Sequence, residues 1–504
     1  MTTTIGIPEA STVAPRVYGQ FIDGMMTEPS GDFIDRYAPG TGRLVARYSN
    51  GTVADIERAI AAARRAFDEG PWPHLSGMER ARALLRVAEA MRDNKEHLAR
   101  IEAEEVGKPI RMARGDVDGS AGLFEFAAAM AMAMHGDVHT TTLGDDFTAL
   151  VAREPAGVAG LVTPWNFPLL LLAQKLPFAI GAGCTTVAKP ASVTAGTTLE
   201  MGRLLNEAGV PAGVYNVVTG GGGTVGRILT ESHDVDMISF TGSTEVGRLV
   251  IEASKGNLKR VSMELGGKSA NIVFDDADLQ DAIDGVMFGI YFNTGECCVS
   301  GSRLLVQESI ADTFLDALVD RVRRLRVGQP LDDDAELGAI VHAEHMGKIL
   351  EYVDVARQDG FRILTGGDRL TGGIYDGGLF LAPTIIDDVQ PTSRVFQEEI
   401  FGPVLAVTRF RDTDDAIRLA NDVEYGLANS VWTKNIDRAL QVARSVRSGT
   451  VWVNTTIDGA PQLPGGGIRA SGFGREMGQA GFDEFTQLKT IQIRSGKRSP
   501  YFKG

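Results

Sequence analysis

Cysteine is scarce in this chain. Three in 504 residues, two of them adjacent at Cys297 and Cys298, cannot build a disulfide framework, so a reducing, cytoplasmic compartment is expected. Histidine is scarce too, at seven. No Cys/His spacing of the structural or catalytic zinc kind occurs, so no metal is expected. Basic charge falls short of acidic charge, 50 Lys and Arg against 65 Asp and Glu, a net −15. With a pI near 5.1, that balance argues against nucleic-acid or anionic-membrane partners, which need a basic face. Long apolar runs are missing as well: none approaches the roughly 18 residues of a membrane span. Ala127–Met134 and Phe167–Ala173 are short enough to be buried helix or strand. The opening MTTTIGIPEA lacks the basic stretch and apolar core of a secretory signal. Internal repeats, low-complexity tracts and obvious linkers are also lacking.

What is present is enough apolar material, 43% of residues, for two or more domains. Short apolar segments with Gly and Pro punctuation over Tyr18–Tyr48 predict hairpin strands. Ile56, Ile60 and Phe67, then Leu84, Val87, Ala88 and Met91, recur at helical spacing. From about Gly157 short apolar runs alternate with helical stretches: Val158–Val162, Thr185–Ala188, Tyr215–Val218, Met237–Phe240 and Ala270–Phe274. Arg303–Val306, Ile400–Val407 and Gly449–Val453 continue the pattern less regularly. The alternation predicts an α/β fold with doubly wound parallel sheets.

Two glycine-rich segments compete for a dinucleotide. Gly221 to Gly226 fits GxGxxG after a predicted strand, although four consecutive glycines satisfy that pattern easily and also suit a plain flexible turn. Phe240-Thr241-Gly242-Ser243-Thr244 likewise runs from a strand into a helix, whose free N–H groups suit a pyrophosphate. Cys297 and Cys298 follow Asn293-Thr294-Gly295-Glu296, a polar turn better suited to a reacting thiol than to packing.

Beside that turn stand Thr163-Pro164-Trp165-Asn166-Phe167-Pro168, Met263-Glu264-Leu265-Gly266-Gly267-Lys268 and Glu398-Glu399-Ile400-Phe401-Gly402-Pro403. Together these segments resemble the aldehyde dehydrogenase superfamily of the NAD(P)-dependent, hydrolytic, non-acylating type. The resemblance runs from the N-terminal hairpin to Thr486–Thr490. It implies a dinucleotide-binding domain at 1–136 and 156–266, a catalytic domain at 267–482, and a small β oligomerisation arm at 137–155 and 483–504. An arm with open strand edges implies a homodimer or homotetramer.

The same resemblance assigns site residues. Counting back from Arg303 through Gly301 points to Cys298 as nucleophile, with Asn166 as the oxyanion-hole amide, Glu264 as the base that deprotonates water, and Lys175 and Glu476 as a proton relay. NAD or NADP is the implied cofactor, lined by Thr163, Pro164, Trp165, Lys189, Ser192, Gly222, Gly226, Phe240, Thr241, Gly242, Ser243, Leu265, Gly266, Glu399 and Phe401. Ser192 stands where NAD-preferring relatives usually carry a glutamate, so NADP is expected to be tolerated, with Lys189 as cationic partner. Ser192 could equally cap the following helix. Leu171, Cys297, Val299, Gly459 and Gly465 fall at the substrate mouth, with Leu169 and Leu170 on the same wall. The two glycines replace aromatics common in relatives, which implies either a wide mouth for a bulky aromatic or long-chain aldehyde or a space filled by a neighbouring loop. The alternatives are a semialdehyde dehydrogenase, a coenzyme A-acylating enzyme, which Glu264 argues against, and a non-catalytic binding or structural protein of the same fold.

Overall fold

The computed structural model describes residues 14–140, 146–497 and 501–502; the opening decapeptide and part of the expected arm lie outside them. Strands Val158–Val162, Thr185–Lys189, Tyr215–Val217, Met237–Thr241 and Arg260–Glu264 form the parallel centre of an eight-stranded sheet. In chain order they lie 3-2-1-4-5, so the direction of winding reverses between Val158–Val162 and Met237–Thr241. Ligands of doubly wound sheets bind at the carboxyl ends of the strands beside such a reversal. The hairpin Phe21–Ile22 and Met25–Met26 adds one antiparallel edge, and Gly472–Phe473 adds the other.

Alternation along these strands feeds two cores. Val158, Val187, Ile238 and Met263 pack beneath the helix Val53–Asp68, whereas Ala159, Leu161, Ala188 and Met237 join the helices Gly77–Asp93 and Ile110–Ala133. Both faces are covered, which is why these runs read as nearly continuous apolar sequence. Helix starts follow local chemistry: Thr52 with Asp55, and Ser76 with Glu79, close capping boxes.

A second, seven-stranded sheet runs Arg362–Thr365, Thr384–Asp387, Val404–Phe410, Arg303–Gln307, Ala270–Val273, Ala428–Trp432, Thr450–Val453, parallel except at its first pair. The strand expected from Ile400 begins at Val404 instead. Pro403 has no N–H to donate, and Phe401 is left-handed at φ 60°, so 398–403 forms a loop. A third sheet pairs Thr486–Arg494 with Phe147–Pro155 over nine residues, with Asp137–His139 on the other side. Among the described residues no helix is long and apolar enough to cross a membrane.

Candidate active site

The helix Leu279–Tyr291 delivers the chain into a turn with three successive left-handed residues: Asn293 at φ 50°, Thr294 at 57° and Gly295 at 76°. For the β-branched Thr294 this costs roughly 1–2 kcal/mol, less for Asn293, so the surroundings must hold the turn. Asn293 Nδ2 donates to the carbonyls of Asn166 and Glu296, at 3.2 and 3.0 Å. Thr294 Oγ1 accepts from Gly338 N at 3.0 Å. A Cβ on Gly295 would lie 2.2 Å from Gly402 O, so only glycine fits. The buried Glu296 carboxylate accepts from Val341 N at 3.0 Å.

This over-determined turn presents Cys298, half-buried, while Cys297 is 6% exposed among Phe167 and Leu171, with Val299 beside them. A hydrogen bond with Cys297, burial, and the nearby Glu399 and Glu264 carboxylates all push the Cys298 thiol well up. Asn166 Nδ2 donates to Glu296 O at 3.0 Å. An amide nitrogen carries two hydrogens, so its second N–H is uncommitted and suits a developing oxyanion.

Glu264 closes the strand Arg260–Glu264 and is 9% exposed, with Oε1 unpartnered. Burial first, then the Glu476 carboxylate, hold it well above the usual carboxylate range, while Lys175, Arg475 and the Gly467 N–H pull it back. Gly466, at φ 143°, leaves room for it: a Cβ there would sit 2.6 Å from Glu264 Oε1. Lys175 is ion-paired with Glu476 and donates to Ser239 Oγ at 3.0 Å, and Thr241 Oγ1 is 3.5 Å from the same carboxylate. The structure therefore brings the two residues expected to form a relay into direct contact near Glu264.

Around the winding reversal the residues present fit a dinucleotide. Thr163, Pro164 and Trp165 leave the first strand, and Thr163 Oγ1 is buried without a partner. Gly221, Gly222 and Gly223 have nothing within 4 Å of a Cβ position, an open cradle, while a Cβ on Gly226 would meet the Lys189 stem at 3.6 Å. Burial pushes Lys189 down to about 8, and its ammonium donates to Pro190 O at 3.0 Å. Phe240 packs on Gly242, where a Cβ would come within 2.5 Å of the ring. Ser243 caps the helix Thr244–Ala253 through Val246 N. Ser192 does not cap its helix: that helix starts at Gly196 behind Ala195, and the Ser192 hydroxyl donates instead to Gly220 O at 2.9 Å.

On the opposite wall Glu399 Oε1 accepts from Gly267 N at 2.9 Å and its other oxygen crowds Gly266. Burial pushes its carboxyl up to about 7. Leu265 N donates to Ser471 O, and Trp165 stands edge-on to Phe401 at 5.3 Å. At the mouth Gly459 faces open space, whereas a Cβ on Gly465 would meet Met477 Cε at 3.1 Å. Leu170 and Leu171 stay with the Phe167 cluster. Leu169, expected on that wall, is instead fully buried in the main core.

Four residues escaped sequence reading. Asn293 and Glu296 lie inside a quoted motif, yet only the fold reveals their strained or buried state. Lys268 was quoted without a role. Its ammonium is buried without a hydrogen-bond partner and pushed down to about 7, chiefly by burial. His345, whose Nε2 lies 2.7 Å from Phe401 O and whose ring lies 5.2 Å from Trp165, carries no local signal.

Comparison with known proteins bears on the same residues. The aldehyde dehydrogenase family profile matches residues 26–491. A betaine aldehyde dehydrogenase of Bacillus subtilis (strain 168) is 43% identical over 447 residues, covering 89% of this chain and 91% of that one. Aminoaldehyde dehydrogenase 2 of Zea mays is 40% identical over 480 residues, 94% of each. Among solved structures, an NAD-dependent aldehyde dehydrogenase from Sinorhizobium meliloti superposes with TM-score 0.95 at 45% identity, over 97% of both chains. A betaine aldehyde dehydrogenase from Staphylococcus aureus in complex with NAD+ gives 0.94 at 37%, again over 97% of both. With the family profile matching residues 26–491 and a relative 43% identical over 89% of its length, the chain belongs to the aldehyde dehydrogenase family.

Proposed function

We propose that Cys298 is the nucleophile, Asn166 an oxyanion donor and Glu264 the base of an aldehyde oxidation. The observation carrying this reading is the half-buried Cys298 on a turn whose Glu296 carbonyl is held by the Asn166 amide, with the Glu264 carboxyl oxygen unpartnered. The enzyme oxidises an aldehyde to the carboxylic acid with NAD or NADP. When bound, the nicotinamide supplies the hydride acceptor. The Cys298 thiol, whose protonated form its surroundings favour, gives its proton to solvent as its sulfur adds to the carbonyl carbon, and the negative charge that passes to oxygen falls to the Asn166 amide and the Cys298 N–H. Loss of hydride leaves a thioester. Glu264 then takes a proton from water, whose oxygen attacks the thioester and expels the Cys298 sulfur, and Lys175 with Glu476 passes that proton on. A panel of aldehydes assayed with both cofactors tests the reading; no cofactor reduction with any aldehyde would contradict it.

For the cofactor, the Ser192 hydroxyl donates to Gly220 O and the side chain itself brings no carboxylate to repel a 2′-phosphate. Ser192→Glu is expected to move the NADP-to-NAD ratio of kcat/KM towards NAD by about tenfold to a hundredfold. Equal ratios in variant and wild type would confine Ser192 to bracing Gly220.

For the substrate, open space at Gly459 supports a bulky aromatic or long-chain aldehyde. Gly459→Phe should depress kcat/KM for such aldehydes while small ones change little; a uniform change across sizes would reject the wide mouth. A cationic aldehyde is the second reading. It is favoured by the betaine and aminoaldehyde relatives; a concavity of about 460 Å³ carrying the negative charge of Asp281, Asp284 and Asp458 next to Phe288 is lined by none of Cys298, Asn166 and Glu264. Arg321, 2.7 Å from Asp284, offsets part of that charge.

The three sheets support the division into a dinucleotide-binding part, a catalytic part and a bridging arm at 137–155 and 483–504. Leu488, Ile491 and Ile493 are exposed on the arm's edge strand, which supports a homodimer or homotetramer; light scattering at monomer mass would reject it. A cytoplasmic location fits a reaction that needs Cys298 reduced, and a Cys297–Cys298 disulfide in enzyme taken directly from cells would count against it.

A further inference from the structure

Behind the Asn166 turn lies a charged cluster that the reaction does not use. Lys108, between the helices Lys95–Val106 and Ile110–Ala133, is 1% exposed. Its ammonium lies 2.6 Å from Asp116 Oδ2 and 3.4 Å from Glu102 Oε2. It also sits 4.2 Å from the centroid of the Phe167 ring. Glu102 Oε1 accepts the Leu169 N–H at 2.7 Å and the Thr197 hydroxyl at 3.3 Å. Burying two carboxylates and an ammonium is expensive, so the cluster requires a reason.

The plain reason would be a clamp between the helices. The three side chains Glu102, Lys108 and Asp116 complete such a clamp by themselves. Of three further contacts, one reaches Thr197 and two land on residues 167 and 169, immediately after Asn166. The ammonium faces a ring, a contact that strengthens when desolvated. The carboxylate takes a first-turn N–H of the helix Pro168–Ala173, which has no partner within the helix. Phe167 in turn stacks on Phe292, at 5.8 Å and 21°, and Phe292 opens the turn that carries Cys298. One ring thus joins the Asn166 turn to the cysteine turn, and the buried lysine fixes that ring.

We propose that Lys108, held by Asp116 and Glu102, is a positioning residue that sets the Asn166 amide against the Cys298 turn through Phe167 and the 167–169 backbone. Among the described residues Lys108 makes no contact with Cys298, although its charge reaches Cys297 and Glu296. The inference rests on the reading of Asn166 as oxyanion donor. A donor displaced by a fraction of an ångström loses much of its value for the developing charge, so the effect should fall on the chemical step alone.

The test is the pre-steady-state burst of reduced cofactor at saturating aldehyde and cofactor, in wild type, Lys108→Met, Asn166→Ala and the double variant. Iodoacetamide alkylation of Cys298 and the cofactor Kd are read on the same proteins. Lys108→Met should slow the burst about tenfold or more, with alkylation and Kd within about twofold. In the Asn166→Ala background it should cost nothing further. An unchanged burst, losses that multiply in the double variant, or a slow burst matched by weakened cofactor binding and alkylation would each overturn the proposal. A full burst in Asn166→Ala alone would overturn the oxyanion reading, and this inference with it. If Lys108→Met does not fold, Asp116→Asn, which keeps the shape and loosens the ammonium, is judged by the same cycle.

Discussion

Cys298→Ala should abolish aldehyde oxidation, by about 10⁴-fold or more, while Cys297→Ala keeps most of it. Cofactor should still bind, because the cradle at Gly221–Gly223, Lys189 and Glu399 does not include the thiol. The contrast between neighbours follows from their surroundings. Cys297 is 6% exposed and packs on Phe167 and Leu171, whereas Cys298 is half-buried on the same turn. Cys297→Ala removes a small apolar contact next to that turn, a loss of kind and size met in ordinary cores. Steady-state assays of both variants decide the matter. Turnover retained by Cys298→Ala and lost by Cys297→Ala would reverse the assignment.

Glu264→Gln should separate the two halves of the reaction. Acyl-enzyme formation does not use the base, so the first burst of reduced cofactor should persist. Hydrolysis does use it, and steady turnover should fall about 10²–10⁴-fold. The pH dependence has a definite sign. Only the deprotonated carboxylate can take a proton from water, and burial together with Glu476 holds this carboxyl well above its ordinary value. Wild-type steady turnover should therefore rise with pH through a step displaced to the alkaline side of a normal carboxylate. Glu264→Gln should lose that step. A variant that keeps the same rise would place the titrating base elsewhere.

Much of the candidate site was legible in sequence because its residues sit where strands end. Thr163, Lys189, Thr241 and Glu264 each follow or close an apolar run, and apolar runs are what sequence periodicity reports best. The winding order then gathers segments a hundred residues apart at one reversal. What was hidden depends on distant partners. Asparagine tolerates a left-handed turn, but that Asn293 and the β-branched Thr294 both adopt it depends on partners such as the Asn166 carbonyl and Gly338 N. Ile400 read as strand because it is apolar, yet it is buried by the second core while Pro403 delays pairing to Val404. Ser192 looked like a cap on residue type alone, and its hydroxyl was taken by Gly220. Lys108 carries no local signal, since its two carboxylates and the Phe167 ring meet it only after the helices pack.

The central claim is that the aldehyde carbon becomes covalently attached to Cys298 and is released by water activated at Glu264. Its most direct test is intact and peptide mass spectrometry of the Glu264→Gln enzyme quenched after incubation with aldehyde and oxidised cofactor. The account predicts a mass increase equal to the acyl group, carried by the peptide containing Cys298 and absent from Glu264→Gln/Cys298→Ala. An enzyme that has completed its burst with no adduct, or with the adduct on Cys297, would contradict it.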